Sequence, residues 1–273
     1  MAVKPFIKWA GGKRQLIDRL SPMFPAEITK YYEPFLGGGA VFFEIKPSVA
    51  YLNDLNSELI TTYKTVKTNV EELIEELKSY PVNKKFFYEI RSWDRNKEEY
   101  QNLSDIKKAS RFIYLNKTCF NGIYRVNSKN EFNVPYADYK HPDIVDEKTL
   151  RDVSNFLNSV KAEFTSLDFR DVLKNVQQDS FVYLDPPYEP VSPTESFTTY
   201  TKDGFTRKDQ RELKECCDEL NKRGVLFMLS NSSSPFIIDL YKDYDINYVS
   251  AKRAINSKGD KRGAVKEIVV KNY

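Results

Sequence analysis

One histidine and three cysteines are all that 273 residues offer to thiol or imidazole chemistry. Cys216 and Cys217 are neighbours in a helical pattern and Cys119 stands alone, so no disulfide framework and no zinc spacing can be drawn. With His141 as the sole imidazole, a histidine relay and a His-rich metal site are excluded, and no metal is expected. No apolar run approaches the roughly 20 residues that cross a bilayer. The opening Met1-Ala-Val-Lys-Pro-Phe lacks the apolar stretch of a secretory signal. A cytoplasmic protein with no membrane partner is the expectation. Its chemistry has to rest on carboxylates, amides, aromatics and backbone.

A formal charge of +3 over the whole chain diagnoses nothing, but its distribution is uneven. From Ser104 to Asp143 there are seven Lys/Arg against four Asp/Glu, and from Ala251 to Lys271 seven against two. Basic stretches threaded with Phe, Tyr and Asn suit a phosphate-backbone surface, although ordinary solvated faces explain charge alone as well.

Several short apolar runs read as buried parallel strands: 31–33, 49–52, 181–185 and 225–230. Each ends in Gly, Pro, Asp or Asn, as where a sheet's carboxyl edge meets its loops. Between them lie helical patterns. Residues 58–78 place Leu59, Tyr63, Val66, Val70, Leu73, Ile74 and Leu77 on one stripe. Thr206 with Asp209 reads as a capping box opening a helix over 207–222. Residues 265–273 alternate enough for a closing strand. Alternating strand and helix predicts an α/β fold with a mainly parallel sheet. The middle breaks the rhythm: helical patterns fill 57–143, and Asn121 to Pro135 holds two short β-like arms around Asn127-Ser-Lys-Asn130, a hairpin.

Asp185-Pro-Pro-Tyr188 follows the apolar run 181–184, where open α/β sheets put their ligand sites. Pro186 and Pro187 hold the backbone extended and remove two N–H donors, so the local groups are acceptors. Asp185 and the Pro186 carbonyl can take both hydrogens of an NH2 group, freeing its nitrogen lone pair for attack on an electrophile. Tyr188 supplies a π-face for a base. A rigid strand-exit turn is the plainer reading of the same tetrapeptide. In Glu33-Pro-Phe-Leu-Gly-Gly-Gly39, Gly37 and Gly39 let backbone approach a ligand closely, with Phe35 beside them. Asp54, in Asn53-Asp-Leu-Asn56 after the next strand, is placed to accept from ribose hydroxyls. Trp9 and Lys13, in Trp9-Ala-Gly-Gly-Lys13, lack phosphate-loop spacing, which excludes an NTPase. They are open to aromatic packing and to an amino-acid carboxylate, or to roles as a core ring and a surface charge. Asp168-Phe169 suits an adenine amino group and face.

These motifs in this order resemble the Dam family of DNA adenine-N6 methyltransferases (α group, D12 class), and among them the modification methylases of DpnII-type restriction systems. Asn121-Gly-Ile-Tyr-Arg125, Glu131-Phe-Asn-Val-Pro135 and Leu229-Ser-Asn-Ser232 extend the likeness over nearly the whole chain. The resemblance implies a Rossmann-like core (1–56 and 144–273) that binds S-adenosylmethionine, with a target-recognition domain over 57–143 whose hairpin spans about 119–136. It implies Trp9, Lys13, Phe35, Gly37, Gly39, Asp54, Asp168, Phe169 and Asp185 around the cofactor. On duplex DNA it implies Lys8, Phe120, Asn121, Ile123, Arg125, Asn127, Lys129, Asn133 and Pro135. GATC is the implied site, with Arg125 reading a guanine, Phe120 supporting the opened duplex, Ile123 as an apolar wedge and the target adenine flipped out. Tyr124 departs from the smaller residue of some members. An RNA adenine methyltransferase and a non-catalytic binding protein on the same scaffold are the alternatives. The hairpin, suited to a major groove that A-form RNA hides, opposes the first. The intact Asp185–Tyr188 motif opposes the second.

Overall fold

The computed structural model describes residues 3–190, 204–252 and 264–273. Its strands are β1 (Lys30–Glu33), β2 (Val49–Asn53), β3 (Lys161–Thr165), β4 (Ser180–Leu184), β5 (Leu226–Ser232), β6 (Asp245–Lys252) and β7 (Ala264–Lys271). Its α-helices are α1 (Ile17–Leu20), α2 (Ala40–Ile45), α3 (Ser57–Thr68), α4 (Val70–Lys78), α5 (Lys84–Ser92), α6 (Lys97–Asn102), α7 (Asp105–Thr118), α8 (Glu147–Ser159), α9 (Phe169–Lys174), α10 (Arg207–Lys222) and α11 (Pro235–Leu240).

One seven-stranded sheet runs in the order β3-β2-β1-β4-β5-β7-β6. The first five positions pair in parallel, as the apolar runs predict, and β7 enters antiparallel between β5 and β6. The chain winds outward from β1 through β2 to β3, then returns to the other side of β1 as β4. That reversal makes a switch point between β1 and β4, and ligands of open α/β sheets bind at the carboxyl ends beside such a point. Glu33 and Leu184 end those two strands, so the glycine loop and Asp185 emerge side by side.

Alternation along β4 explains the layering. Phe181 and Tyr183 join the core shared with α2, α3, α7 and α8, while Val182 and Leu184 face the core of α9, α10 and α11. Each fully buried apolar side chain of this size contributes about 1.5–3 kcal/mol. Helices α3, α4, α5, α7 and α8 share the first core with β1, β2 and β4, so 57–143 is packed against the sheet and not hung from it.

Three details depart from the sequence reading. The 58–78 stripe is two helices, because Asn69 adopts φ −137°, ψ 43° and interrupts the backbone spiral. Strand β6 carries polar residues among its apolar ones and was not anticipated. The hairpin closes through two isolated bridges, Cys119 with Tyr136 and Val126 with Phe132, instead of continuous ladders. The capping box is present: Thr206 Oγ1 accepts from Asp209 N while Asp209 accepts from Thr206 N. Much of the second basic stretch, residues 253–263, lies outside the described residues. Among the described residues, no helix is long and apolar enough to cross a membrane.

Candidate active site

Asp185 leaves β4 directly into a cation. Lys13 Nζ lies 2.7 Å from Asp185 Oδ1, and the Lys13 side chain is only 4% exposed, so it is no surface charge. The same ammonium donates to Gly11 O at 2.7 Å and stands 4.8 Å from the centre of the Tyr188 ring. Burial pushes the Asp185 carboxyl above the usual carboxylate range, and Lys13 pulls it back down. Tyr188 Oη donates to Glu267 Oε2 at 2.9 Å. Glu267 pairs with Ser232 across β5 and β7, which brings it to the same sheet edge.

The two proline carbonyls are treated differently. Gln210, fully buried on α10, donates through Nε2 to Pro187 O at 2.9 Å and accepts from Asn231 Nδ2 at 3.1 Å. Asn231 Oδ1 in turn accepts from Glu189 N and Ser232 N. This dry amide chain fixes the exit of the motif. Among the described residues, nothing donates to Pro186 O, which leaves that carbonyl and Asp185 as a pair of acceptors. Gln210 shares a helical face with Leu213, Cys217 and Leu220, and a lone amide in an apolar stripe was the available signal for it.

The loop after β1 is held from both sides. Gly37 has φ +50°, and a Cβ there would meet Trp9 Cδ1 at 2.6 Å; Gly39 has φ +67° and begins α2. Trp9 therefore packs closely against the loop, with the Tyr124 ring stacked on it at 6.0 Å. Asp54 Oδ2 accepts from Gly37 N at 2.9 Å and Oδ1 from Asn56 N at 3.0 Å. Burial raises the Asp54 carboxyl to about 6, against the pull of those two N–H groups. Asn53, 1% exposed, ties the loops after β1 and β3 together by donating to Pro34 O and Leu167 O.

Asp168 caps α9 by accepting from Arg170 N, and Arg170 Nη1 lies 2.9 Å from its Oδ2. Arg170 also contacts Asp209 and Glu212 of α10. Phe169 is buried and packs on Phe35 at 5.5 Å, with Phe205 against both. Phe205 was not anticipated, since an isolated Phe in a loop carries no periodicity. Asn56 Nδ2 is buried with no partner. A nucleoside-bearing cofactor fits this set: the orphaned Asn56 amide, the Asp54 and Asp168 carboxylates and the aromatic group suit hydroxyls, an amino group and a base. Among the described residues, no group of three or more His, Cys, Asp or Glu could hold a metal ion.

The hairpin sorts its residues by alternation. Val126, Phe132 and Val134 are buried, whereas Arg125, Asn127, Asn133 and Pro135 lie on the other face. Arg125 Nε donates to Asn133 Oδ1 at 2.7 Å, which aims the guanidinium. Asn127 closes the turn by accepting from Lys129 N and Glu131 N. Phe120 is 54% exposed, Asn121 beside it has φ +58°, and Ile123 is half-buried at the hairpin's root. Lys8 is exposed, its backbone N donates to Asn116 Oδ1, and its ammonium stands over Tyr139.

Comparison with known proteins agrees with this arrangement. The chain is 45% identical over 273 residues to the type II methyltransferase M1.LlaDCHI of Lactococcus lactis subsp. cremoris, covering 99% of this chain and 96% of that one. It is 45% identical to the type II methyltransferase M.MjaIII of Methanocaldococcus jannaschii, covering all of both. With the DNA adenine methylase of Escherichia coli the identity is 32%, over 97% of this chain and 94% of that one. Residues 9–255 match the model of the D12 class N6 adenine-specific DNA methyltransferases, from Trp9 through the glycine loop, the hairpin and Asp185–Tyr188, and the chain belongs to that family.

Proposed function

We propose that this adenine-specific DNA methyltransferase transfers a methyl group from S-adenosylmethionine to adenine N6 in duplex GATC sites, with the adenine flipped out of the stack. The pairing of Asp185 with the Pro186 carbonyl, to which nothing donates among the described residues, at the switch point beside the glycine loop, carries this reading. The sheet order supports a Rossmann-like core over 1–56 and 144–273, with 57–143 as the target-recognition domain. The names of the two type II relatives support a modification role within a restriction system.

In this mechanism Phe35, Phe169 and Asp168 would hold the adenosine end of the cofactor, Asp54 would accept from its ribose, and the Gly37–Gly39 backbone and Trp9 would hold its methionine part. The bound cofactor supplies a methyl group already activated as a sulfonium. Asp185 and Pro186 O accept the two N6 hydrogens of the flipped adenine, turning the nitrogen lone pair out of conjugation. Tyr188 stacks on the base, its ring anchored through Glu267. Lys13, 2.7 Å away, favours the ionised, acceptor-only form of Asp185 against the effect of burial. Fixed acceptors in a dry site lower the barrier by position and electrostatics, and the proton leaves N6 once the new bond forms. Arg125 reads a guanine through two hydrogen bonds, Lys8, Asn127 and Lys129 contact the DNA at the hairpin's flanks, and Phe120 and Ile123 fill the opened duplex beside Asn121, Asn133 and Pro135.

Transfer of tritium from labelled cofactor separates the readings. Label is expected in adenine of GATC duplexes, far above single-base variants, matching single strands and RNA. Equal labelling of RNA or of all duplexes contradicts the proposal.

A further inference from the structure

Among the described residues, 130–134, the inner arm of the hairpin, have no neighbouring strand beyond the hairpin itself, and side chains take that place. Arg91 Nη1 donates to Val134 O at 3.2 Å, Arg95 Nη2 to Phe132 O at 2.7 Å and Lys97 Nζ to Asn130 O at 3.2 Å. Asp94 Oδ2 accepts from Phe132 N at 2.7 Å. Arg95 and Lys97 are exposed, whereas Asp94 is 2% exposed. Asp94 has two cationic partners: Arg95 Nη1 donates to its Oδ1 at 2.6 Å, and the buried Arg111 of α7 places Nη2 2.6 Å from the same Oδ2 that accepts from Phe132 N. Arg111 is itself immobilised by donating to Ile90 O, Arg91 O and Glu58 Oε2.

A buried ion pair is a poor source of net stability, because desolvation offsets most of the attraction. What it fixes here is a position. Phe132 N is held at the Asp94 carboxylate, and the next residue, Asn133, donates its N–H to Arg125 O at 3.1 Å and accepts Arg125 Nε at 2.7 Å. The line from Arg111 through Asp94 and Phe132 to Asn133 therefore ends at the guanidinium.

We infer that Asp94 is a positioning residue for sequence discrimination: anchored by Arg111, it sets the height of the 130–134 arm and thereby the aim of Arg125. The inference rests on the hairpin being the element that reads DNA. Asp94→Asn keeps the shape and removes the charge, and Asp94→Glu keeps the charge and lengthens the arm by one methylene. Should the buried Arg111 leave Asp94→Asn unfolded, Asp94→Glu carries the test.

Initial rates are measured on GATC duplexes and on every single-base variant, together with cofactor affinity by calorimetry. The expected result is a loss of about tenfold in discrimination at one base pair, within the range of a bidentate arginine–guanine contact. Selectivity elsewhere and cofactor affinity should stay as in the wild type. A purely structural role would depress all sequences alike, and that outcome overturns the inference, as does full retention of selectivity. Arg125→Ala is run on the same panel. If it relaxes one base pair while the Asp94 variants do not, the positioning role fails alone. If it relaxes none, the reading of the hairpin fails and the inference with it.

Discussion

Lys13 Nζ and Asp185 Oδ1 lie 2.7 Å apart, an ion pair joining the first turn of the chain to the carboxyl end of β4. Its consequence is electrostatic. Burial favours the neutral acid at Asp185, and a protonated carboxyl there would offer a donor where two acceptors are needed. Lys13→Met should move the acid limb of the rate–pH profile upward by about 1–3 pH units, the usual effect of losing a contacting opposite charge. Turnover at neutral pH should fall and recover in part as the pH is raised. An unmoved limb would assign Lys13 to packing.

If Asp54 holds the cofactor ribose as proposed, cofactor binding should be sensitive to acid. Its folded value is about 6, above the unfolded carboxylate value, so the folded state holds the proton more tightly. Its contribution to stability is complete below the unfolded value and is lost as pH rises through the folded one. In the proposed role binding would run the other way, since both Asp54 oxygens already accept from Gly37 N and Asn56 N and the ionised group keeps the most acceptor capacity for ribose hydroxyls. Cofactor affinity should therefore weaken as pH falls through about 6. Calorimetric titrations should show this in the wild type and not in Asp54→Asn, which should bind weakly at every pH.

Tyr188 separates stacking from proton transfer. Its hydroxyl donates to Glu267 and serves to orient the ring. Tyr188→Phe should retain much of the turnover, and Tyr188→Ala should lose most of it, because base–aromatic stacking contributes about 1–3 kcal/mol. Equal and complete losses in steady-state assays would point to the hydroxyl instead.

Arg125 and Lys129 occupy one hairpin and should fail differently. Arg125→Ala should cost about 1–3 kcal/mol of discrimination at a single base pair. Lys129→Ala should weaken binding to all sequences evenly and flatten its salt dependence. Unchanged relative rates on single-base variants for Arg125→Ala would remove it from recognition.

The fold was legible where local signals and burial coincide. Phe181 to Leu184 are apolar because both sheet faces are covered, and Thr206 with Asp209 caps its helix through atoms three residues apart. The hairpin was legible from its two β-like arms around Asn127–Asn130, whereas the roles of Arg125, Asn127, Asn133 and Pro135 came from the family resemblance alone. What escaped depends on contacts distant in sequence. The Lys13–Asp185 pair, the Gln210 bond to Pro187 O and the Asp94 bond to Phe132 N join segments whose spacing carries no periodic signature. Strand β6 escaped because it pairs on one side only, with β7, and its outer positions tolerate polar residues. The break at Asn69 interrupts a stripe that stays in phase across it, so hydrophobic spacing alone could not find it.

If Asp185 and Pro186 hold the N6 amino group, single-turnover methylation by Asp185→Ala and Asp185→Asn is where their loss shows first. Both variants should stay folded by circular dichroism and bind GATC duplex DNA, yet transfer no tritium from labelled cofactor within the time of many wild-type turnovers. Near-normal transfer by either folded variant would rule out Asp185 as the acceptor that holds N6.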